Sequence, residues 1–482
     1  MSGYRFSFRA PACRPVAAGF PPAAGRDRAV NAEGFAGNVE RSPRATWSEF
    51  ACVAAGQVAT ALGAITGVRL LTEVLPPAEF GLYMLAMTGS ILAQQLVFAP
   101  LGAAAQRFLA AAIEQQTLRS FLEALAFLAV ASVVLVIGVA APVAGTLAGC
   151  GKGTLAGLVL ATSVFTVVWG LATLLDSIHT AARWRRLVAV NQTVTQWLRW
   201  VGAAGLAWLW QPSAAAAMYG ATAAVLLASA GRCLAVRRLP LEPPQTARPS
   251  GPWRRRLLRY LLPFSTWGVF TWAGTASDRW ALALYASTYD VGLYAVLYQL
   301  GYFPCVLLGD AIQQFLGPVL FGRIGDGADP QRLAHALRWH RSVFWPAVAL
   351  FAGGWLAAWN FAGPIVAFLA APDYRAYASG LPLLVAAGAL FSLGQILALA
   401  IIGTCGSAAL LPAKIGCAVL TVAANFGAVR WAGPQGLLVA MPITAACYLL
   451  ATAWQCHRIQ LRWATADAEP TGETRTERKK AA

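Results

Sequence analysis

The sequence predicts an all-α polytopic membrane protein, with about 12 transmembrane helices arranged in two pseudo-symmetric six-helix lobes. Three observations predict this fold: the composition, the spacing of apolar runs and the placement of positive charge. The chain has 482 residues, of which 58% are hydrophobic and only 12% are charged. Soluble domains carry about 25% charged residues. So few charges cannot cover a water-facing globule of this size, so lipid must solvate much of the apolar surface.

Apolar runs long enough to cross a bilayer, about 20 residues each, recur along the chain. The first group lies at 49–72, 80–106, 120–148, 154–178, 187–210 and 214–236. The second group lies at 260–285, 291–319, 343–371, 381–404, 408–430 and 436–456. Polar segments flank and divide them, and the first has no apolar core of the signal-peptide type. The predicted organisation is a disordered cytoplasmic tail (1–46), an N-terminal lobe (47–236), a basic cytoplasmic linker (237–259), a C-terminal lobe (260–460) and a second disordered tail (461–482).

Positive charge follows the alternation that these spans require. With the N-terminus inside, the inner loops hold clusters such as Arg183, Arg185 and Arg186, and the linker adds more. The outer loops hold only Lys152, Arg375, Arg430 and the borderline Arg69. The bias is about four to one, as the positive-inside rule demands, so both termini are predicted to be cytoplasmic. The net charge of +17 is scattered in small clusters without a nucleic-acid-binding motif, which indicates topology rather than nucleic acid.

Cysteine and histidine give no sign of a metal, cofactor or disulfide framework. The nine cysteines form no C-x-x-C pair, and most lie in apolar runs, where cysteine behaves as a small hydrophobe. The four histidines fall at predicted cytoplasmic ends or loops: His179, His335, His340 and His457. The outer loops are short and their acids are isolated: Glu73, Glu79, Asp290 and Asp373. We therefore expect no cofactor, no metal site, no buried histidine relay and no enzyme.

Three charges lie too deep in their spans to be topology signals. Arg199 is about twelve residues into the fifth span, and Asp278 and Arg279 lie in the outer half of the seventh. A charge at such depth costs about 2.5–3.5 kcal/mol and normally faces a partner or a water-filled cavity. An interhelical ion pair would explain Asp278 and Arg279, and snorkelling or a packing contact would explain Arg199. The functional alternative is a hydrated cavity with cationic walls.

The balance of charge within the spans points to an anionic cargo. Arg69 lies at the outer end of the first span and Arg107 at the predicted inner mouth. A transported cation would instead require several deep carboxylates, and the further acids lie near predicted inner ends: Glu123, Asp176 and Asp310. Guanidinium groups suit phosphate because their planar fork binds pairs of oxygens. We therefore expect a phosphate or diphosphate group on the cargo.

An internal echo links the two halves. The second span opens with EFGLYMLAMTGSI and the eighth with DVGLYAVLYQLGY, and an arginine precedes each, Arg69 and Arg279 respectively. The string RLLTEVLPPAEFGLYMLAMTGSI, followed by GAAAQRF, resembles the opening of bacterial polysaccharide and O-antigen flippases. The string SDRWALALYASTYDVGLYAVLYQL resembles their seventh-to-eighth span junction. The resemblance covers about residues 47–460 and extends to the superfamily that contains MATE multidrug exporters.

The resemblance implies two six-helix lobes that open alternately to each side, as in MATE proteins. It implies a carrier that flips a lipid-linked oligosaccharide, typically on undecaprenyl diphosphate, across the bacterial inner membrane for O-antigen, lipopolysaccharide or exopolysaccharide synthesis. The partners it implies are the lipid-linked glycan, the membrane, and the polymerase and glycosyltransferases of the same pathway. The family's cationic residues are matched by Arg69, Arg107 and Arg279, and Arg199 is added from its depth alone. Asp278 is the candidate for ion coupling.

Other classes remain open at this point. A MATE-like exporter of cationic drugs shares the fold but would place carboxylates deep in the first lobe. A membrane-embedded glycosyltransferase or polymerase would need acidic or histidine residues that converge on a sizeable outer loop. A major-facilitator carrier would have a basic Gly-Asp-Arg loop after its second span, where this chain has RFLAAAIEQQTLR.

Overall fold

The computed structural model describes residues 43–182, 184–236, 251–324, 330–405 and 407–468, which are almost entirely helical and include no strand. The N-terminal half contains α1 (Pro43–Val74), α2 (Pro77–Ala93), α3 (Ala99–Glu114), α4 (Leu118–Gly149), α5 (Gly153–Ala181), α6 (Arg185–Leu209) and α7 (Ala214–Val236). The C-terminal half contains α8 (Gly251–Tyr285), α9 (Thr288–Leu297), α10 (Phe303–Ile324), α11 (Pro330–Leu369), α12 (Leu381–Cys405) and α13 (Leu411–Ala468).

Each predicted span lies almost entirely on helical residues. A π-helical turn, Gln94–Phe98, joins α2 to α3, and a second, Tyr298–Tyr302, joins α9 to α10, so each pair forms one continuous rod. The last two spans lie in α13, which breaks at Gly433, where φ is +60°. Among the described residues, 8 segments are long and apolar enough to cross a membrane. The multi-pass helical fold is thus confirmed, while the count of twelve crossings stays a prediction.

The predicted tails and linker fall largely outside the described residues. The parts that lie outside are 1–42, 237–250 and 469–482. Helix α8 begins at Gly251, within the predicted linker, and α13 continues to Ala468, within the predicted second tail.

Local sequence explains where the paired rods begin. Pro77 occupies the first turn of α2, where its missing N–H is not needed and its fixed φ suits a helix. Ser287 caps α9 by accepting a hydrogen bond from the backbone N–H of Asp290 at 3.1 Å, and its hydroxyl donates to the Asp290 carboxylate at 2.6 Å. Such caps satisfy backbone donors that a helix start leaves free. Both rods therefore start at the predicted outer end of the bundle.

The two halves pack as two lobes. In the N-terminal lobe, α1 packs on α6, α6 on α7, and α5 on α4 and α7. In the C-terminal lobe, α12 packs on α13, α10 and α11, and α13 packs on α8. Buried side chains from both lobes join in one core at the predicted outer end, with Phe80, Tyr83, Leu293 and Tyr374 among its members.

The echoed glycines lie where the lobes meet. A methyl group added at Gly81 would overlap the backbone oxygen of Thr288, and one added at Gly292 would overlap the backbone oxygen of Pro77. The two rods therefore touch backbone to backbone. The Tyr374 hydroxyl adds a bond between the lobes by donating to the Leu75 carbonyl at 2.6 Å. The predicted outer end is closed in this conformation.

Candidate functional site

A cavity of about 230 Å³ lies between the lobes. Helices α1, α2, α5 and α6 line it on the N-terminal side, and α8 and the α9–α10 rod line it on the C-terminal side. Its described lining contains two charged residues, Arg199 and Arg279, and no carboxylate. The structure thus brings together two of the four arginines that the sequence singles out. We call this space the central cavity.

Arg279 is buried but incompletely paired. Its side chain is 7% exposed, and its Nη1 lies 3.5 Å from the nearer carboxylate oxygen of Asp278. Its guanidinium sits over the ring of Tyr298 at 4.2 Å from the centroid, a cation–π contact. The buried Nε has no hydrogen-bond partner among the described residues. A guanidinium in this state retains donors for an oxygen-rich anion.

Asp278 owes its position to other groups than the Arg279 side chain. One carboxylate oxygen accepts the backbone N–H of Arg279 at 2.7 Å, and the other accepts the Tyr294 hydroxyl at 2.7 Å. The residue is 1% exposed. It lies on the face of α8 that lines a cavity inside the C-terminal lobe, and it is absent from the lining of the central cavity. Its charge is therefore held by short neutral hydrogen bonds behind the cavity wall.

Arg199 forms the opposite wall of the central cavity. Its Nη2 donates to the Gln196 side-chain oxygen at 2.9 Å, and its guanidinium lies 5.4 Å from the Trp200 ring centroid. Its buried Nε has no partner within the described chain. No carboxylate pairs with it in the described part of the structure, so its full charge faces the cavity.

The other two predicted arginines lie elsewhere. Arg69 forms an ion pair with Glu73 one turn further along α1, with a side chain 39% exposed. Arg107 is exposed on α3, beside Gln106, which lines a second cavity. Neither lines the central cavity. Their roles in binding stay predictions.

That second cavity, of about 380 Å³, lies inside the N-terminal lobe between α1, α3, α5, α6 and α7. It shares Trp169, Gln196 and Arg199 with the central cavity, so the two spaces adjoin at one wall. Hydroxyl and amide side chains make up most of the remaining lining: Gln106, Thr173, Ser177, Thr180, Gln192 and Thr195. We call this space the N-lobe cavity.

An ion pair at the N-lobe cavity was missed by sequence reasoning. Arg232 is 1% exposed, and its Nε and Nη2 donate to the two oxygens of Asp176 at 2.8 and 3.0 Å. Its Nη1 and Nη2 also donate to the carbonyls of Ala228 and Asn191 at 3.2 and 3.3 Å. Arg232, which precedes the predicted basic linker, and Asp176, near a predicted inner end, form a buried, bidentate pair.

A third cavity of about 200 Å³ lies within the C-terminal lobe, and we call it the C-lobe cavity. It adjoins the central cavity through Thr275 and Tyr298, and Arg279 is absent from its lining. Its wall includes Asp278 and Gln395, whose side-chain oxygen accepts the Tyr448 hydroxyl at 2.6 Å.

Two of the histidines that the sequence placed at cytoplasmic ends or loops are buried. His179 is 0% exposed and stacks on Trp184, and His340 is 4% exposed with its Nε2 2.9 Å from the Ile396 carbonyl. Among the described residues, no three His, Cys, Asp or Glu side chains gather as a metal site would require.

Comparison with known proteins gives a family and a fold. A family model for polysaccharide biosynthesis proteins matches residues 47–322. No curated protein matches this chain. An outward-facing multidrug resistance MATE transporter of the MOP superfamily is 16% identical with a TM-score of 0.60, over 87% of this chain and 95% of its own. The lipid II flippase MurJ in an inward closed conformation is 13% identical with a TM-score of 0.60, over 84% and 87%.

A MATE transporter from Vibrio cholerae is also similar, at 14% identity and a TM-score of 0.54, over 86% of this chain and 98% of its own. At such low identities these likenesses show the fold alone. The fold is that of the MATE and MurJ proteins, as the sequence predicted.

Proposed function

The chain belongs to the polysaccharide biosynthesis protein family, and on that premise we propose that it flips a lipid-linked oligosaccharide across the bacterial inner membrane. The glycan would be carried on undecaprenyl diphosphate and used for O-antigen or another surface polysaccharide. The MurJ structure of similar fold is named for an analogous cargo, lipid II. The observation that carries the proposal is the central cavity, where Arg199 and Arg279 face one space without a carboxylate.

The mechanism follows from the charge on the two lobes. One arginine comes from each lobe, so a diphosphate between them bonds to both and draws the lobes together. Arg107 at the predicted inner mouth attracts the head group. Arg69 would bind the head group at the predicted outer end. Rotation of the lobes then exposes the head group outward, where hydration and dilution release it. Glycosyltransferases of the same pathway would supply the lipid-linked glycan, and the polymerase would consume it.

Asp278 is the carboxylate that we propose for ion coupling. It is the buried acid next to the diphosphate ligand Arg279. A change in its charge would alter the field at Arg279 and hence the affinity for an anion. Coupling would therefore act on release rather than on recognition.

Export of cations is disfavoured by the same electrostatics. The first lobe does contain a buried carboxylate, Asp176, but Arg232 occupies both of its oxygens. The central cavity presents two guanidiniums, which repel a cationic drug. We infer a transporter of anions rather than a drug exporter or an embedded glycosyltransferase.

Replacement of Arg279 with alanine tests the proposal. In a strain that lacks the wild-type gene, Arg279→Ala is expected to abolish surface glycan while protein in the membrane stays at the wild-type level. Lipid-linked intermediate should then accumulate. Arg375→Ala is the control, because Arg375 is an exposed arginine whose Nη2 bonds only to the Ala367 carbonyl in the described chain. Normal polymer output from Arg279→Ala would remove the basis of the site.

A further inference from the structure

The N-lobe cavity differs in chemistry from the central cavity that it adjoins. Among its described lining residues, the one guanidinium besides that of Arg199 belongs to Arg232, which a carboxylate and two carbonyls already engage. The Asp176–Arg232 pair adds no net charge. A molecule that extends from Arg199 into the N-lobe cavity therefore passes from a cationic wall to a neutral, hydrogen-bonding one.

The groups on the N-lobe cavity wall match the functional groups of a sugar. Gln106 and Gln192 are exposed and make no hydrogen bond within the described chain, so each offers an amide donor and an acceptor. The hydroxyls of Ser177, Thr180 and Thr195 donate to carbonyls of their own helices at 2.6–3.0 Å. Their oxygens remain able to accept from ligand hydroxyls.

An indole ring stands at the junction of the two cavities. Trp169 lines both spaces and stacks on Phe165 with centroids 5.6 Å apart. An aromatic ring offers a flat apolar surface, which suits the C–H face of a pyranose. The junction thus combines an anion ligand, Arg199, with an apolar platform and an amide, Gln196.

We propose that the N-lobe cavity holds the reducing-end sugar of the cargo, with Gln106 and Gln192 as residues that determine sugar specificity. This inference rests on the proposed function, because it assumes a diphosphate at Arg199 and Arg279. The sugar attached directly to the diphosphate is the one that reaches past Arg199. Sugars further along the glycan extend beyond this cavity and contribute less to binding specificity.

The C-lobe cavity fits this role less well. Its amide, Gln395, is already bonded to Tyr448, and its wall carries a charged group of each sign, the Asp278 carboxylate and the Lys414 ammonium. It is also smaller, at about 200 Å³ against about 380 Å³. It adjoins the central cavity through Thr275 and Tyr298, but neither Arg199 nor Arg279 lines it, whereas Arg199 lines both the central cavity and the N-lobe cavity.

Binding of defined lipids to the full-length protein in nanodiscs tests the inference. The probes are undecaprenyl diphosphate without sugar and the same lipid with one glucose, galactose, N-acetylglucosamine or N-acetylgalactosamine. Wild-type protein is expected to bind at least one sugar-bearing lipid about tenfold more tightly than the bare lipid. The double variant Gln106→Ala/Gln192→Ala should lose that preference and bind the bare lipid as wild type does, which also reports that it is folded. Gln395→Ala should keep the preference.

The arms separate failure of this inference from failure of the proposed function. The double variant Arg199→Ala/Arg279→Ala should weaken binding of every probe, and unchanged binding of the bare lipid there would overturn the diphosphate site itself. Equal affinity of wild type for bare and sugar-bearing lipids would overturn the sugar site while leaving the diphosphate site intact. A preference that survives loss of both glutamines, or that disappears in Gln395→Ala, would overturn it as well.

Discussion

In the described residues, each lobe contains one buried aspartate–arginine pair, and the two pairs differ in what the arginine can still do. In the N-terminal lobe, Arg232 reaches Asp176 from another helix and meets both oxygens at 2.8 and 3.0 Å. In the C-terminal lobe, Asp278 and Arg279 are neighbours on α8, and their side chains come no closer than 3.5 Å. Adjacent residues on a helix point in different directions. Sequence adjacency therefore leaves a guanidinium available, whereas pairing across helices consumes it.

The largest expected effect is a loss of stability on substitution in the Asp176–Arg232 pair, whose guanidinium is fully engaged. Arg232→Met leaves Asp176 buried without its partner, which typically costs about 3–5 kcal/mol of stability. We expect a sharply lower midpoint of thermal unfolding in detergent and less protein in the membrane. The double variant Asp176→Leu/Arg232→Met removes both charges and should recover most of the loss. No recovery would mean that Arg232 stabilises the lobe through its carbonyl contacts rather than through Asp176.

The same substitution at the available arginine should give the reverse pattern. In Arg279→Met, Asp278 keeps the hydrogen bonds from Tyr294 and from the residue 279 backbone. We expect a stability loss of only about 1–2 kcal/mol but complete loss of glycan export. Thermal unfolding and surface-glycan staining of both Met variants, measured side by side, test the comparison. Equal destabilisation at the two positions would break it.

Neutralising the aspartate of the available pair is expected to have a smaller effect on stability. Asn at position 278 can still accept the Tyr294 hydroxyl through its one side-chain oxygen, but its NH2 group cannot accept the residue 279 N–H, so the loss should be about 1 kcal/mol. In proteoliposomes, we expect an imposed proton or sodium gradient to alter flipping by wild type and not by Asp278→Asn. A gradient response that persists in the variant, or that is absent from wild type, would contradict the coupling role.

The smallest expected effect concerns the aromatic support of Arg279. Tyr298→Leu removes a cation–π contact worth about 0.5–2 kcal/mol, so binding of undecaprenyl diphosphate should weaken several-fold. Tyr298→Phe keeps the ring under the guanidinium and serves as the matched control. Titration of both variants in nanodiscs checks the order. Equal weakening would assign the effect to the lost hydroxyl rather than to the ring.

Sequence patterns were sufficient for the fold, and they singled out two arginines that line the central cavity. The apolar runs predicted the helices because hydrophobic length is set by the bilayer. Arg199 and Arg279 were found because no loop lies near enough to hydrate them. The arginines at corresponding places, Arg69 and Arg279, could also have been told apart. Glu73 lies one turn after Arg69, and that spacing predicts an ion pair, whereas Ala283 occupies the same place after Arg279.

The remainder of the site depends on contacts between distant segments. Arg232 lies near the end of α7, where it reads as part of the basic cluster that includes Arg237 and Arg238. Only the packing of α7 on α5 shows that it meets Asp176, 56 positions earlier. The π-helical turn that carries Tyr298 under Arg279 has no signal in the sequence either. Helices were predictable from local pattern, and partnerships between helices were not.

The glycines at the predicted outer end bear on the free energy needed to separate the two lobes there. Where Gly81 meets Gly292, the two rods touch through backbone atoms, because a methyl group at either position would overlap the opposite backbone. Buried side chains of both lobes and hydrogen bonds such as that of Tyr374 to Leu75 hold this end closed, and each such bond is worth about 0.5–1.5 kcal/mol. A single charge-assisted bond to a phosphate is worth about 1.5–3 kcal/mol. Binding of a diphosphate through several such bonds would therefore supply free energy that offsets part of the cost of opening this contact between the lobes.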